Sequence, residues 1–140
     1  MVTLIESLIN RVCITINENS NIKDLVTLLN KNKIGCVVVV SDNDYPVGIV
    51  SERDLIRKYD KILNSNEIQI SDIMTKPLIT CQKNSTSKDL MEKMTYYKIR
   101  HIPIIEGNKL LGIISIGDVV KRLLENYAKE AKLLREYINN

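Results

Sequence analysis

The sequence has 140 residues and a formal net charge of +3, and its acidic and basic residues are interspersed rather than gathered in blocks. A chain of this length forms one domain or two small units that share a core, and the lack of a basic stripe argues against a dedicated nucleic-acid surface. No stretch reaches the roughly 18 apolar residues that a membrane span needs, and the N-terminus lacks a signal-peptide pattern, so we expect a cytoplasmic protein without a membrane segment.

The first half of the chain alternates between helical and strand-like apolar patterns. The predicted elements, in order, are a helix over 4–12, a strand over 13–16, a helix capped by Asn19-Ser20, a strand over 36–40, a strand leading into Gly48 and a helix that reaches Leu63. The continuous apolar run over 36–40 is typical of a strand buried on both faces. From the first strand onward, the order strand, helix, strand, strand, helix describes one compact unit.

The same series returns after the polar linker Asn64-Ser65-Asn66. Residues 78–81 match 13–16 at an offset of 65, and the offset falls to 64 after the turn at 106–109, which is one residue shorter than its counterpart. An offset that changes only inside a loop indicates duplication of one structural unit. Because each unit buries little surface alone, we expect the two to pack around shared apolar sheet faces.

The most specific repeated feature is a glycine, two β-branched residues, a serine and an aspartate three residues after the serine. It occurs as Gly48 to Asp54 and again as Gly112 to Asp118. One copy alone is best interpreted as a helix-capping box. Two copies in matching units favour a binding role, in which free backbone N–H groups receive phosphate and the aspartate accepts hydrogen bonds from ribose hydroxyls.

The last predicted helix is longer than its counterpart in the first unit. Its apolar stripe consists of Val119, Val120, Leu123, Leu124, Tyr127, Ala131, Leu134 and Ile138. The apolar residues of this helix that lie beyond the second unit need another surface to cover them. Packing on the N-terminal segment and a subunit interface both remain open.

The three cysteines, Cys13, Cys36 and Cys81, each lie in an apolar stretch with the character of a strand. Their odd number and wide spacing match neither a Cys-x-x-Cys metal motif nor a disulfide framework. We therefore expect buried thiols that behave as small hydrophobic side chains, and no metal site.

From about residue 5 to about residue 127 the sequence resembles a tandem pair of cystathionine-β-synthase (CBS) domains. Besides the two turns, the resemblance rests on Asp72-Ile73-Met74-Thr75 and on Arg100-His101-Ile102-Pro103-Ile104-Ile105. It implies an α+β fold in which two βαββα units, residues 5–63 and 70–127, pack sheet to sheet with pseudo-twofold symmetry. Residues 128–140 would extend the last helix.

The resemblance also implies two clefts between the units, each of which takes its ribose-binding aspartate from one unit and its adenine-facing strands from the other. The residues carried over to the first cleft are Ile14, Thr15, Gly35, Cys36, Val37, Arg100, His101, Ile114, Ser115 and Asp118. Those of the second cleft are Ile79, Thr80, His101, Ile102, Val50, Ser51, Arg53 and Asp54. Apolar strand edges suit a purine, and a carboxylate suits the ribose diol.

We expect the two clefts to differ in charge. Arg100 and His101 are expected to face the phosphates of a ligand held by Asp118, so that this cleft would hold phosphate more strongly, with Arg53 compensating in part at Asp54. In the family that the sequence resembles, the two residues after the serine of the turn are more usually polar or basic, whereas the second turn has Ile116-Gly117. The number of ligand phosphates that this turn could bind therefore remains open. Three alternatives also remain: His101 as a structural imidazole, Arg100 as a surface charge, and Tyr96-Tyr97 as packing residues.

The implied function is a regulatory module. An adenine nucleotide (AMP, ADP or ATP) or S-adenosylmethionine would bind between the units, change conformation or assembly, and so control a separate protein, with a homodimer as the expected assembly and no resident cofactor required. The alternative is a ligand-free dimerisation scaffold whose turns are only helix caps. We expect neither catalysis nor nucleic-acid binding, since no nucleophile, base and orienting group occur together.

Overall fold

The computed structural model describes residues 3–9 and 11–140. Its elements, in order, are α1 (Leu4–Leu8), β1 (Thr15–Asn17), α2 (Ile22–Asn32), β2 (Cys36–Val40), β3 (Pro46–Ser51), α3 (Glu52–Arg57), α4 (Tyr59–Leu63), a 3-10 turn (Ile70–Asp72), α5 (Ser87–Tyr97), β4 (His101–Glu106), β5 (Lys109–Ser115) and α6 (Ile116–Asn139). The mixture of helices with two small sheets confirms the predicted α+β class and its two units.

Each unit contributes one small sheet. In the first, β2 is central, parallel to β1 and antiparallel to β3; in the second, β4 and β5 are antiparallel. Both antiparallel pairs shift register at equivalent places, between Val39 and Val40 and between Ile104 and Ile105. The duplication therefore extends to the irregularities of the sheets. Val38 is fully buried on the face of β2 opposite Val37 and Val39, as the apolar run predicts for a strand covered on both sides.

The second unit lacks an extended counterpart of β1. The strand predicted over 78–81 is reduced to a single parallel bridge between Cys81 and Ile104. Just before it, the Thr80 carbonyl accepts a 2.7 Å hydrogen bond from Lys93 Nζ of α5. A side chain therefore takes the place of a neighbouring strand at this carbonyl.

The buried apolar residues form two cores, one in each unit, and each core is completed by a segment outside its own repeat. The first core contains Ile16, Leu25, Leu29, Val37, Val39, Val50, Ile68, Ile70 and Ile73. The second contains Leu4, Ile5, Leu8, Cys81, Leu90, Met94, Ile102, Ile104, Ile114 and Val119. Helix α1 thus packs in the second unit, while residues 68–73, which follow the linker, pack in the first.

Helices α2 and α5 start and stop in the same way. Each is capped by a side-chain oxygen, that of Asn21 or Thr86, which accepts the backbone N–H of an aspartate three residues on. The Asn21 cap lies one residue beyond the predicted Asn19-Ser20. Each helix ends at a lysine in the left-handed conformation, Lys33 or Lys98, with φ of 53° and 56°.

The helices that follow the two glycine turns differ. The first is broken at Lys58 into α3 and α4, whereas α6 continues unbroken for 24 residues. Only the start of α6 packs on its unit, through Val119 and Leu123. The later part of the apolar stripe is exposed, so packing on the N-terminal segment does not cover it. No helix in the described part of the chain has both the length and the apolar character needed to cross a membrane.

Candidate functional site

The two glycine turns place an aspartate in the first turn of α3 and of α6. The backbone N–H of Ser51 donates to Asp54 Oδ2 at 2.8 Å, and that of Ser115 donates to Asp118 Oδ2 at 3.0 Å. The serine hydroxyls donate to the same oxygens. One oxygen of each carboxylate therefore caps its own helix, as expected for a capping box.

The other carboxylate oxygen binds a residue from outside the unit. Asp54 Oδ1 accepts a 3.2 Å hydrogen bond from the Thr75 hydroxyl, and Asp118 Oδ1 forms a 3.1 Å ion pair with Arg11 Nη2. Arg11 precedes residues 13–16 of the first unit, and Thr75 precedes the equivalent residues 78–81 of the second. Each of them contacts the aspartate of the other unit. The glycine-turn motif contains neither Thr75 nor Arg11, and Arg11 is 107 residues from Asp118. The motif therefore does not predict either contact.

Asp118 lies at a cavity of about 310 Å³ between the units, called here the Asp118 cavity. Its lining residues are Arg11, Val12, Ile14, Ile34, Gly35, Cys36, His101, Ile113, Ser115 and Asp118. The residues predicted for the first cleft that line it are Ile14, Gly35, Cys36, His101, Ser115 and Asp118. The apolar wall comes from both units, which suits a flat, apolar ligand group.

Asp54 lies at a second cavity, of about 320 Å³, called here the Asp54 cavity. Its lining residues are Gly35, Cys36, Ile49, Ser51, Glu52, Arg53, Asp54, Arg57, Thr75, Tyr97, Lys98, Ile99, Arg100 and His101. Of the residues predicted for the second cleft, Ser51, Arg53, Asp54 and His101 line it. Tyr97 also packs edge to face on Tyr96, with ring centroids 4.9 Å apart.

Several predicted residues line neither cavity with their side chains. Val37, Val50, Ile102 and Ile114 are buried in the cores of their units, and Thr15, Ile79 and Thr80 also lie outside both linings. Side chains alternate between the two faces of a strand, so a shift of one residue exchanges core for cavity. The apolar residues of β3 and β5 that line the cavities are Ile49 and Ile113.

The structure does not place Arg100 beside Asp118, where the resemblance led us to expect it. Arg100 lines the Asp54 cavity, where Arg53, Arg57 and Lys98 also lie, and Arg11 occupies the position next to Asp118. Consecutive side chains diverge where β4 begins, so that His101 reaches the Asp118 cavity while Arg100 does not. The expected excess of positive charge is therefore found around Asp54.

The balance of charge differs between the cavities. The Asp54 cavity has four fixed cations, Arg53, Arg57, Lys98 and Arg100, against the carboxylates of Glu52 and Asp54. In the Asp118 cavity, Arg11 and Asp118 neutralise each other. Burial raises the pKa of Asp118, but the hydrogen bonds from Ser115 and the Arg11 guanidinium outweigh it and hold this pKa below its usual range.

The two cavities share a wall formed by Gly35, Cys36 and His101. Burial lowers the pKa of His101; Asp118 acts in the opposite direction and Arg100 adds to the lowering. Burial, with the nearby Asp54 and Cys13, raises the pKa of Cys36 to about 12. At neutral pH the wall is therefore uncharged. The prediction of a buried thiol is confirmed for Cys81, whereas Cys13 and Cys36 are half-buried.

The family model for the CBS domain matches this chain twice, over residues 5–61 and 70–125. The chain belongs to the CBS domain family. The two matched ranges carry the two sheets and both glycine turns, so each range supplies one aspartate and one side of each cavity. Within residues 3–9 and 11–140, no group of three His, Cys, Asp or Glu side chains is placed to hold a metal ion.

Solved structures of CBS-domain proteins have the same fold. A CBS-domain protein of Agrobacterium tumefaciens, ATU1752, is 41% identical and has a TM-score of 0.72, with 79% of this chain and 84% of that chain covered. PAE2072 of Pyrobaculum aerophilum, complexed with AMP, is 30% identical with a TM-score of 0.71 over 84% and 89%. The CBS pair of MJ0100, complexed with 5′-methylthioadenosine and S-adenosyl-L-methionine, is 25% identical with a TM-score of 0.75 over 91% and 99%.

Curated relatives are longer than this chain. The first three, from Methanocaldococcus jannaschii, Arabidopsis thaliana and Methanopyrus kandleri, are 32% to 35% identical over 66% to 88% of this chain. The chain spans 32% to 61% of their lengths. Its similarity to them is thus confined to the CBS pair and the sequence next to it.

Proposed function

We propose that this chain is a regulatory module that binds an adenosine-containing ligand between its two CBS units and does not catalyse a reaction. The observation that carries the proposal is the pair of cavities between the units, each with an aspartate oxygen bound by a residue from the other unit. The AMP complex of PAE2072 and the methylthioadenosine and S-adenosylmethionine complex of MJ0100 support the ligand class.

The adenosine part of the ligand would be held by two kinds of contact. In the Asp54 cavity, Ile49 and Ile99 supply apolar surface for a purine, and Asp54 Oδ1 supplies the acceptor for the ribose diol. The Thr75 hydroxyl, which now donates to that oxygen, would yield to a ribose hydroxyl without loss of charge pairing. No resident cofactor or metal is needed for any of these contacts.

The charge balance supports binding of a phosphorylated ligand in the Asp54 cavity. Arg53, Arg57 and Arg100 are fixed cations whose planar forks suit phosphate oxygens, and Lys98 adds a fourth charge. In the Asp118 cavity, a ribose must displace Arg11 from Asp118 before it can bind. We therefore expect AMP, ADP or ATP to bind first at Asp54, the reverse of the order predicted from the sequence.

Regulation would follow from the shared wall. A ligand in either cavity contacts Gly35, Cys36 or His101, which also line the other, so occupancy of one site changes the packing at the second. The proposal includes a homodimer in the cytoplasm and a separate protein that responds to the change. A ligand shifts such an equilibrium only by its difference in affinity for the two arrangements.

Calorimetric titration of three aspartate variants tests the proposal. Asp54→Asn and Asp118→Asn each remove one charge from a cavity, and Asp89→Asn removes the same charge from a helix cap outside both cavities. We expect Asp54→Asn to weaken AMP binding by about tenfold or more, the loss of one charged hydrogen bond. Asp89→Asn should leave the affinity unchanged.

Two results would count against this assignment. Equal losses of AMP affinity in Asp54→Asn and Asp118→Asn would remove the preference for the Asp54 cavity. No binding of adenosine, AMP, ATP or S-adenosylmethionine to folded wild-type protein would leave both aspartates as helix caps and favour the dimerisation scaffold.

A further inference from the structure

The exposed part of α6 carries regularly spaced apolar residues that do not pack in the core of its own unit. Its positions, separated by four, three, four, three and four residues, are Val120, Leu124, Tyr127, Ala131, Leu134 and Ile138. This is the 3.5-residue repeat of a left-handed coiled coil, with Leu124, Ala131 and Ile138 at a and the others at d. We call these six residues the α6 seam.

The α6 seam lies on the flank of the helix and is open to a partner. Val119 is fully buried against the second core, and Val120, one residue further, is turned about 100° away from it. Val120 is 40% exposed and Leu124 and Leu134 are each 62% exposed. From Leu124 to Ile138 the helix extends about 21 Å at 1.5 Å per residue, and the seam is exposed along that length.

Charged residues beside the α6 seam indicate which helix binds there and whether the two helices run parallel or antiparallel. With this register, Glu130 is a g position and Arg135 is the following e position. In a parallel, in-register pair of helices, g of one chain faces the next e of the other, so Glu130 meets Arg135 of a second copy, twice by symmetry. The ion pair that α6 forms within itself, between Arg122 and Glu125, uses neither residue.

We infer that the α6 seam is the interface of a parallel two-stranded coiled coil formed with a second copy of this chain. This inference rests on the homodimer of the proposed function and gives it a register and a direction. It does not depend on nucleotide binding. In an antiparallel pair, e faces e and g faces g, so Glu130 and Arg135 would lose their complementary partners. A parallel dimer also places both CBS pairs at the same end of the coiled coil.

A matched pair of leucine substitutions tests the interface. Leu134 lies in the α6 seam, and the adjacent Leu133, 56% exposed, lies outside it. By sedimentation equilibrium of nucleotide-free protein, we expect Leu134→Lys to weaken dimerisation on the order of a hundredfold, because two leucines lose their burial. Leu133→Lys should leave the dimer unchanged, and circular dichroism should show an intact helix in both.

Each alternative outcome overturns a different statement. A monomeric wild-type protein at all concentrations overturns the homodimer, while the nucleotide titrations still decide ligand binding by themselves. A wild-type dimer that Leu133→Lys and Leu134→Lys weaken equally overturns the coiled coil and leaves a homodimer with another interface.

Charge exchange and cross-linking test the direction. Glu130→Arg and Arg135→Glu should each weaken self-association several-fold, and an equimolar mixture of the two should recover it. A mixture as weak as either variant alone overturns the parallel register. On oxidation, Ile138→Cys should form a disulfide between copies while Leu133→Cys and the wild type do not; an antiparallel pair holds the two substituted side chains apart and gives no cross-link.

Discussion

The two motif glycines differ in how closely a neighbouring segment approaches them. A Cβ at Gly48 would lie 2.6 Å from Met74 Sδ and 3.1 Å from the Thr75 carbonyl oxygen. At the equivalent Gly112 the nearest atoms are 3.6 Å away, an ordinary contact. The same motif glycine is therefore required for close backbone approach in one unit and not in the other.

We expect Gly48→Ala to lower the free energy of unfolding by about 1 to 3 kcal/mol, since Met74 and Thr75 must move away from β3. The same substitution at Gly112 should change it by less than about 1 kcal/mol. Urea unfolding of the two variants gives the comparison. If Gly112→Ala is the more destabilising, the close approach of Met74 and Thr75 does not explain the glycine at position 48.

His101 should make stability depend on pH between neutrality and pH 5. Its pKa is lowered below 6.5 in the folded protein, mainly by burial. The unfolded chain therefore takes up a proton first as the pH falls, and stability that is complete above pH 6.5 decreases below it. His101→Gln should flatten this decrease when unfolding is measured in phosphate-free buffers at pH 7.5 and 5.5.

The effect of Asp118 falls in a different range of pH. Its folded-state pKa is depressed below 3.8, so its contribution to stability is present above that value and is lost as the pH falls through the folded pKa. Between pH 7.5 and 5.5 this carboxylate stays ionised. An unchanged pH profile in His101→Gln would therefore show that His101 is not the group responsible.

Among the elements, the short helix α1 is important for the core of the second unit. It contributes Leu4, Ile5 and Leu8 to the core of the second unit, although it precedes the first strand of the first unit. The periodicity of residues 4–12 predicted a helix, and a helix is present, but it ends at Leu8. Periodicity identifies an apolar face and does not say which unit the face will join.

We expect Ile5→Ala to lower the free energy of unfolding by about 2 to 5 kcal/mol, because the fully buried side chain leaves a cavity in the second core. Val12→Ala is the control, since Val12 is 90% exposed. Guanidinium unfolding distinguishes the two. A loss at Ile5 no larger than that at Val12 would show that α1 is not part of the folded core.

For the whole molecule, the repeat was the most informative property of the sequence. It predicted two units, both aspartate turns and the cavity residues Ser51, Asp54, Ser115 and Asp118. It could not predict the direction of Arg100, because an offset between repeats aligns positions and not the side of the chain on which a side chain lies. The contact of Arg11 with Asp118 was missed because Arg11 lies outside the repeated motif, 107 residues from Asp118.

The exchange of segments between the two cores also has a consequence for the order of events during synthesis. Helix α1 is made before every other described element, yet its binding surface includes Ile114 and Val119, more than a hundred residues later. It must remain undocked until almost the whole CBS pair has emerged, whereas the first unit can close once residues 68–73 are available. Contacts between distant parts of a chain form late and slow folding. Of the described helices, the first to be synthesised is thus among the last to dock.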